Sequence, residues 1–212
     1  MLKSLIDYLV GQAVKLRVRL ELGKSVTSAV VQAESPDVVI VATGAVPVVP
    51  KIQGLNKCHV VTAEDVLRDS ADVGERVVII GGELVGCEVA DYLAAEGKQV
   101  TVARRGPRMA TTMMPVLRRL LLDRLAQMKV VMLPGIKYEE ATEAGLVVTL
   151  KDGQRQIIPA DTIVLAAGAR ANIRLAQALE GKVGQIYSVG DCVQPRGILQ
   201  AIDEGFRIGL LV

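Results

Sequence analysis

VVIIGGELVGCEVADYLAAEG, residues 77–97, is the stretch on which the reading of this chain turns. Four apolar residues run into paired glycines, and a segment with helical spacing follows. Arg76 to Ile80 therefore reads as a buried strand and Leu84 to Ala95 as a helix, with Gln99 to Ala103 as a second strand. That is a βαβ unit of about 30 residues. Gly81 permits the tight turn, and Gly86 lets the helix pack closely on the strand. A helix beginning there presents free N–H groups and a partial positive charge, which suit a dinucleotide pyrophosphate. One position departs from G-x-G-x-x-G: Glu83 stands where the second glycine should be, although Gly82 lies beside it. That glycine normally lets the backbone approach the pyrophosphate. Glutamate adds bulk and, unless it turns away, a like charge. An ordinary βα turn is the competing reading.

The end of the second strand bears on which nucleotide is held. A NAD site carries an acid about 20 residues past the fingerprint, on the ribose hydroxyls. Here the strand runs straight into Arg104-Arg105 with no acid. Two guanidiniums would attract a 2′-phosphate, so NADP(H) is preferred over NAD(H). A solvated basic turn is the alternative.

Outward from this core the chain reads as α/β. Helices are expected from Leu2 to about Lys15 and from Ser25 to Ala33, with an alternating strand at Arg17 to Glu21 between them. A buried strand follows at Asp37 to Ala42, ending in the small-residue turn Ala42-Thr43-Gly44. The Pro-rich stretch from Gly44 to Gly54 reads as a connecting strand or linker. Thr62 and Asp65 form a capping-box pattern ahead of a short helix. Thr112 to Met128 is amphipathic, with Leu117, Leu120, Leu121 and Leu125 assigned to one side, and Val130 to Leu133 is a third strand. Segments 136–140, 146–150 and 154–158 form an antiparallel meander, with Lys151-Asp-Gly153 as a turn. Asp161 to Ala167 is a buried strand ending at Gly168. A helix near 173–179, a strand at 185–189 ending in Gly190-Asp191, and a helix from Ile198 complete the chain. The strand ends VVIVATGAVP (38–47) and TIVLAAGARA (162–171) echo each other.

Composition narrows the classes. The chain has 212 residues, half of them apolar, and a mean hydropathy of +0.37. No apolar run reaches the roughly 18 residues of a membrane span. The apolar excess implies either a large covered sheet or a face that meets more protein, including self-association. A net charge of +2, four Tyr, one Phe and no Trp give neither a basic field nor stacking platforms for nucleic acid. Cys58, Cys87 and Cys192 are scattered and never paired as CxxC. They suit a reducing cytoplasm and argue against a disulfide framework, a metal site or a redox dithiol. His59 is read as structural. The start of the chain lacks the features of a signal peptide.

Taken together, the ATG turn, the βαβ fingerprint and the late GD resemble the two-dinucleotide-binding flavoproteins that include the disulfide reductases. The run IYSVGDCVQPRGILQAIDEGFRIG (186–209), with LKSLIDYLVGQ and DVVIVATGAVPVVPKIQG, is similar to the C-terminal FAD/NAD(P) module of 2-enoate and 2,4-dienoyl-CoA reductases. The resemblance implies a Rossmann-like parallel sheet with a small antiparallel meander, inserted in a partial FAD-binding domain. It places residues 1–70 and 169–212 with FAD and 71–168 with NAD(P). On that basis Gly81, Gly82 and Gly86 would hold the nucleotide pyrophosphate, with Glu83 as the departure. Arg104 and Arg105 would meet the 2′-phosphate, and Gly168 the nicotinamide end. Ala42, Thr43, Gly44, Gly190 and Asp191 would contact FAD. The implied activity is hydride transfer from NADP(H) to FAD, with electrons passing to an N-terminal barrel that reduces an enoate-type C=C bond. That barrel, with its FMN and 4Fe–4S cluster, and the first flavin-binding βαβ would precede Met1, so the isolated chain is expected to be inactive. No side chain is assigned a catalytic or metal-binding role. The competing implication is a non-catalytic nucleotide-binding or structural module, as in amine-dehydrogenase-like relatives.

Overall fold

The computed structural model describes residues 2–212. In chain order the elements are α1 (Leu2–Lys15), α2 (Ser28–Glu34), β1 (Val38–Val41), β2 (Ala45–Pro47), β3 (Val60–Thr62), α3 (Ala63–Leu67), β4 (Arg76–Ile80), α4 (Leu84–Ala95) and β5 (Gln99–Arg104). There follow α5 (Pro115–Gln127), β6 (Val131–Pro134), β7 (Lys137–Thr142), β8 (Gly145–Thr149), β9 (Arg155–Pro159), β10 (Thr162–Leu165), β11 (Ala169–Ala171), α6 (Arg174–Leu179), β12 (Gln185–Ser188) and α7 (Ile198–Gly209).

The fold is α/β, as expected, and its centre is a parallel five-stranded sheet in the order β3-β10-β4-β5-β6. Strand β4 shows why the sheet is buried on both sides. Successive side chains point to opposite faces, so Val77 and Ile79 join a core with Val89, Ala90 and Leu93 of α4 and with Leu125 of α5. Val78 and Ile80 join a second core with Leu146, Val148 and Ile158 of the antiparallel meander β7-β8-β9. Helices thus cover one face and the meander the other. The sheet's outer strand β3 and helix α3 supply Val61, Ala63 and Val66 to the helical face, so this unit draws on residues 60–67 as well. Thr62 and Asp65 cap α3 reciprocally: Thr62 Oγ1 accepts from the Asp65 N–H at 3.1 Å, and Asp65 Oδ2 accepts from the Thr62 N–H at 3.0 Å.

A second, smaller sheet pairs β1 with β12 in parallel, Val38 opposite Gln185 through Val41 opposite Ser188. Val31, Val41, Leu179 and Cys192 form its core. The two echoing strand ends meet each other. Beyond their turns, β2 and β11 pair antiparallel, with Ala45 opposite Ala171 and Pro47 opposite Ala169, so each large strand sends its tail into a shared ribbon. His59 Nε2–H donates to the Asp72 carbonyl at 2.7 Å, a structural contact. All three cysteines are free thiols.

Two expectations are corrected. Residues 17–21 form no strand: they lie exposed, Arg17 has a left-handed φ of 56°, and no neighbouring strand offers a ladder. Alternation without a partner does not make a strand. The inward stripe of α5 is also rotated. Leu121, Leu122 and Leu125 pack inward and Arg118 Nε donates to the Met109 carbonyl at 2.6 Å, while Leu117 and Leu120 are exposed. Leucines on adjoining faces made two stripes legible, and contact with the sheet selected one.

Candidate functional site

A cleft of about 490 Å³ opens at the carboxyl ends of the parallel strands, where open α/β sheets bind ligands. Its walls are the β4–α4 turn (Gly81 to Val85), the tip of β5 (Arg104, Arg105), the segment after β10 (Ala166 to Ala169), Thr62 to Glu64, and Pro47 and Pro50. Gly81, Gly82, Glu83, Arg104, Arg105 and Gly168, singled out from sequence, therefore share one site.

The turn is shaped by backbone crowding. Gly81 has φ of 121°, and a Cβ there would lie 2.1 Å from the carbonyl oxygen of Ala166. A Cβ on Gly86 would lie 2.0 Å from the carbonyl oxygen of Gly81. Gly86 thus stands behind the cleft and lets α4 close onto the turn. Glu83 occupies the position before α4 in an extended conformation, and its side chain makes no capping hydrogen bond. The helix entrance at Leu84 and Val85 faces the cleft with its first-turn N–H groups left uncapped by a side chain. A phosphate oxyanion is a chemically suitable partner for them.

Glu83 turns sideways. Its carboxylate pairs with Arg104 Nη2, accepts from Thr111 Oγ1 at 2.5 Å, and accepts from the N–H and hydroxyl of Thr112 at 3.3 and 3.4 Å. Burial pushes the carboxyl pKa up. The hydrogen bonds from Arg104, Thr111 and the Thr112 N–H, with the arginine charge, overcome that and hold it at about 2. Glu83 is therefore an anion at any working pH, with its charge matched by Arg104. The neighbouring Arg105 goes elsewhere: exposed at the rim, its guanidinium lies 5.8 Å from the centroid of the Tyr138 ring. Tyr138 donates its hydroxyl to the Ala103 carbonyl at 2.7 Å, and burial pushes that phenol up to about 12.

The remaining predicted residues gather at the carboxyl ends of β1 and β12, which adjoin because those strands pair in register. Thr43 Oγ1 donates to the Asn172 carbonyl at 2.7 Å, and the Asn172 N–H donates to the Gly44 carbonyl at 3.0 Å, tying this turn to the end of β11. The Gly190 N–H donates to Glu204 Oε2 at 2.7 Å, Glu204 pairs with Arg196, and Asp191 Oδ1 accepts from the Arg196 N–H at 3.0 Å. Ala42, Thr43, Gly44, Gly190 and Asp191 thus line one edge, apart from the cleft. Sequence reasoning missed Thr111, Thr112, Asn172 and Glu204. Thr111, Thr112 and Asn172 belong to no motif, Glu204 lies unremarked within the 186–209 run, and each matters through a partner at least 14 positions away.

Among the described residues no cluster of His, Cys, Asp or Glu is arranged to hold a metal ion, and no helix is long and apolar enough to cross a membrane.

This architecture has a family. Residues 3–205 match the model of the pyridine nucleotide-disulphide oxidoreductases, and the chain belongs to that family. It is 38% identical to a bilirubin reductase of Mediterraneibacter gnavus over 95% of this chain and 31% of that protein. It is 33% identical to an NADH oxidase of Thermoanaerobacter brockii over 95% of this chain and 32% of that one. Among solved structures, 2-naphthoyl-CoA reductase superposes with a TM-score of 0.92 at 31% identity, covering 98% of this chain and 32% of that one. These similarities bear out the resemblance to the enoate-reductase type of module. The chain spans about a third of the length of these relatives.

Proposed function

We propose that this chain is the nicotinamide-nucleotide-binding part, with one side of the flavin site, of a flavin oxidoreductase. The observation that carries the reading is the cleft at the carboxyl ends of β4, β5 and β10, where an uncapped helix entrance follows a turn whose Gly81 has no room for a side chain. In this reading a nicotinamide nucleotide supplies a hydride and FAD accepts it. The chain's own residues bind and orient. The first turn of α4 receives the pyrophosphate, and the tip of β5 faces the adenosine ribose. Gly168 and the Ala166-Ala167 backbone bound the opposite end of the cleft. No side chain acts as acid or base. Gly44, Gly190 and Asp191 would bound FAD at the ends of β1 and β12, the nicotinamide and flavin lobes being joined by the β2–β11 ribbon.

The relatives' greater length supports placing this part within a larger enzyme; in our reading the remainder is an FMN- and iron–sulfur-bearing barrel that reduces a conjugated C=C bond. The exposed apolar residues of α1 and α7, among them Ile6, Val14, Leu199 and Phe206, support a partner surface there, provided by that polypeptide or by a second copy. The competing reading, a nucleotide-binding module without catalysis, is favoured by one observation: a carboxylate stands in the turn built for phosphate.

Titration of the full chain with NADH and NADPH, read by nucleotide fluorescence, tests the proposal. Saturable binding that Gly81→Val abolishes is expected. Absence of binding to both wild type and Glu83→Gly, with the fold intact by circular dichroism, would overturn it.

A further inference from the structure

Resting on that nucleotide-site reading, we infer that Glu83 supplies the ribose-binding carboxylate that the tip of β5 lacks, and so selects a nucleotide without a 2′-phosphate. The strand that normally ends in an acid ends here in Arg104, while the turn that normally holds a glycine holds Glu83. The two side chains are 21 positions apart in sequence and are joined as an ion pair in the fold. The carboxylate is carried across to the strand tip it would otherwise face from a distance.

The surroundings fit this role in three ways. First, the acid is held and not loose: Arg104 and Thr111 grip Oε1 from one side, and Thr112 steadies Oε2. Second, it keeps spare acceptor capacity. Oε2 has only the two long contacts at 3.3 and 3.4 Å, and the side chain remains 39% exposed on the cleft wall. A vicinal diol can donate to such an oxygen, whereas a phosphate cannot. Third, the arginine that a 2′-phosphate would need is already neutralised. Arg104 is 15% exposed and its Nη2 is held by Glu83, and Arg105 stands at the rim beside Tyr138. An added phosphate would meet one free cation and one fixed carboxylate, where two free cations were expected from sequence. Like charge beside like charge at short range discriminates strongly. The turning of Glu83 away from the helix axis also leaves the first-turn N–H groups of α4 open to a pyrophosphate.

The test is a pair of titrations on the full chain, with NADH and NADPH as probes, for wild type, Glu83→Gln, Glu83→Gly and Arg104→Gln. Wild type is expected to bind NADH at least tenfold more tightly than NADPH, and Glu83→Gln to remove most of that preference by weakening NADH and strengthening NADPH. Arg104→Gln, which frees the carboxylate from its partner, should weaken NADPH further. If wild type prefers NADPH, or if the ratio is unchanged in Glu83→Gln, the inference is overturned. If wild type binds neither nucleotide and Glu83→Gly binds one, Glu83 is a plug, and the inference fails while the site stands. If no folded variant binds either, the site reading itself fails and takes the inference with it.

Discussion

The two parallel sheets of this molecule use the same device and finish it differently. In the five-stranded sheet, β4 and β10 are covered by helices on one face and a meander on the other, and nearly every side chain they carry is buried. In the two-stranded sheet, β1 and β12 end in the same kind of small-residue turn, yet only Val41 is buried and Ile40 is 44% exposed. The flanking helices differ likewise. Helix α4 buries Cys87, Val89, Ala90 and Leu93, whereas strongly amphipathic α7 buries nothing, leaving Leu199 72% and Phe206 66% exposed. A strand-turn sequence places ligand-facing backbone, but the rigidity of that placement comes from packing on both faces.

Mutation, unfolding and exchange measurements test this contrast. The largest effect belongs to Gly86→Val, whose added atoms would strike the Gly81 carbonyl. A loss on the order of 3–4 kcal/mol in denaturant unfolding is expected, with nucleotide binding lost as well. A paired truncation comes next. Ile79→Ala, in a fully buried position, should cost about 2–5 kcal/mol, and Ile40→Ala about 1 kcal/mol or less. Equal costs in urea melts would show the small sheet to be as firmly held as the large one.

Hydrogen exchange reads the same difference without mutation. Amides of β1 and β12 should exchange roughly tenfold or more faster than those of β4 and β10. Replacing Leu199 and Phe206 with Glu and Lys should move stability by only about 0.5 kcal/mol, while lowering the binding of an apolar dye and any self-association seen by light scattering. A small effect of a different kind is electrostatic. Glu83 is held near 2, below the ordinary carboxyl range, so its contribution is present above about pH 4.5 and is lost as pH falls toward 2. With the side chain 39% exposed, solvent screening limits it to about 1 kcal/mol or less. Acid titration of wild type against Glu83→Gln should show the wild-type curve falling more steeply in that window.

How far the residues spoke for themselves varied with how local each feature was. The bounds of α4 and β4, the capping box at Thr62 and the meander with its Lys151-Asp-Gly153 turn were legible because each depends on neighbours within a few positions. The strand expected at 17–21 and the inward face of α5 were not, because a strand needs a partner and a helix with leucines on adjoining faces needs a sheet to choose between them. The adjacent Arg104 and Arg105 read as one basic pair, but in the fold one faces Glu83 and the other Tyr138.

What the residues at 77–97 determined alone was the strand-turn-helix and the close approach of Gly86 to the Gly81 carbonyl, since those follow from local sterics and period. The crowding at Gly81 comes instead from the Ala166 carbonyl at the end of the neighbouring strand. What only the tertiary structure decided was the state of Glu83. Its charge looked like an obstacle to phosphate when read along the chain. In the fold, Arg104, Thr111 and Thr112 converge on it from 21 to 29 positions away and turn it aside. Convergence of that kind depends on strand β5 lying beside β4, and no spacing within the motif encodes it.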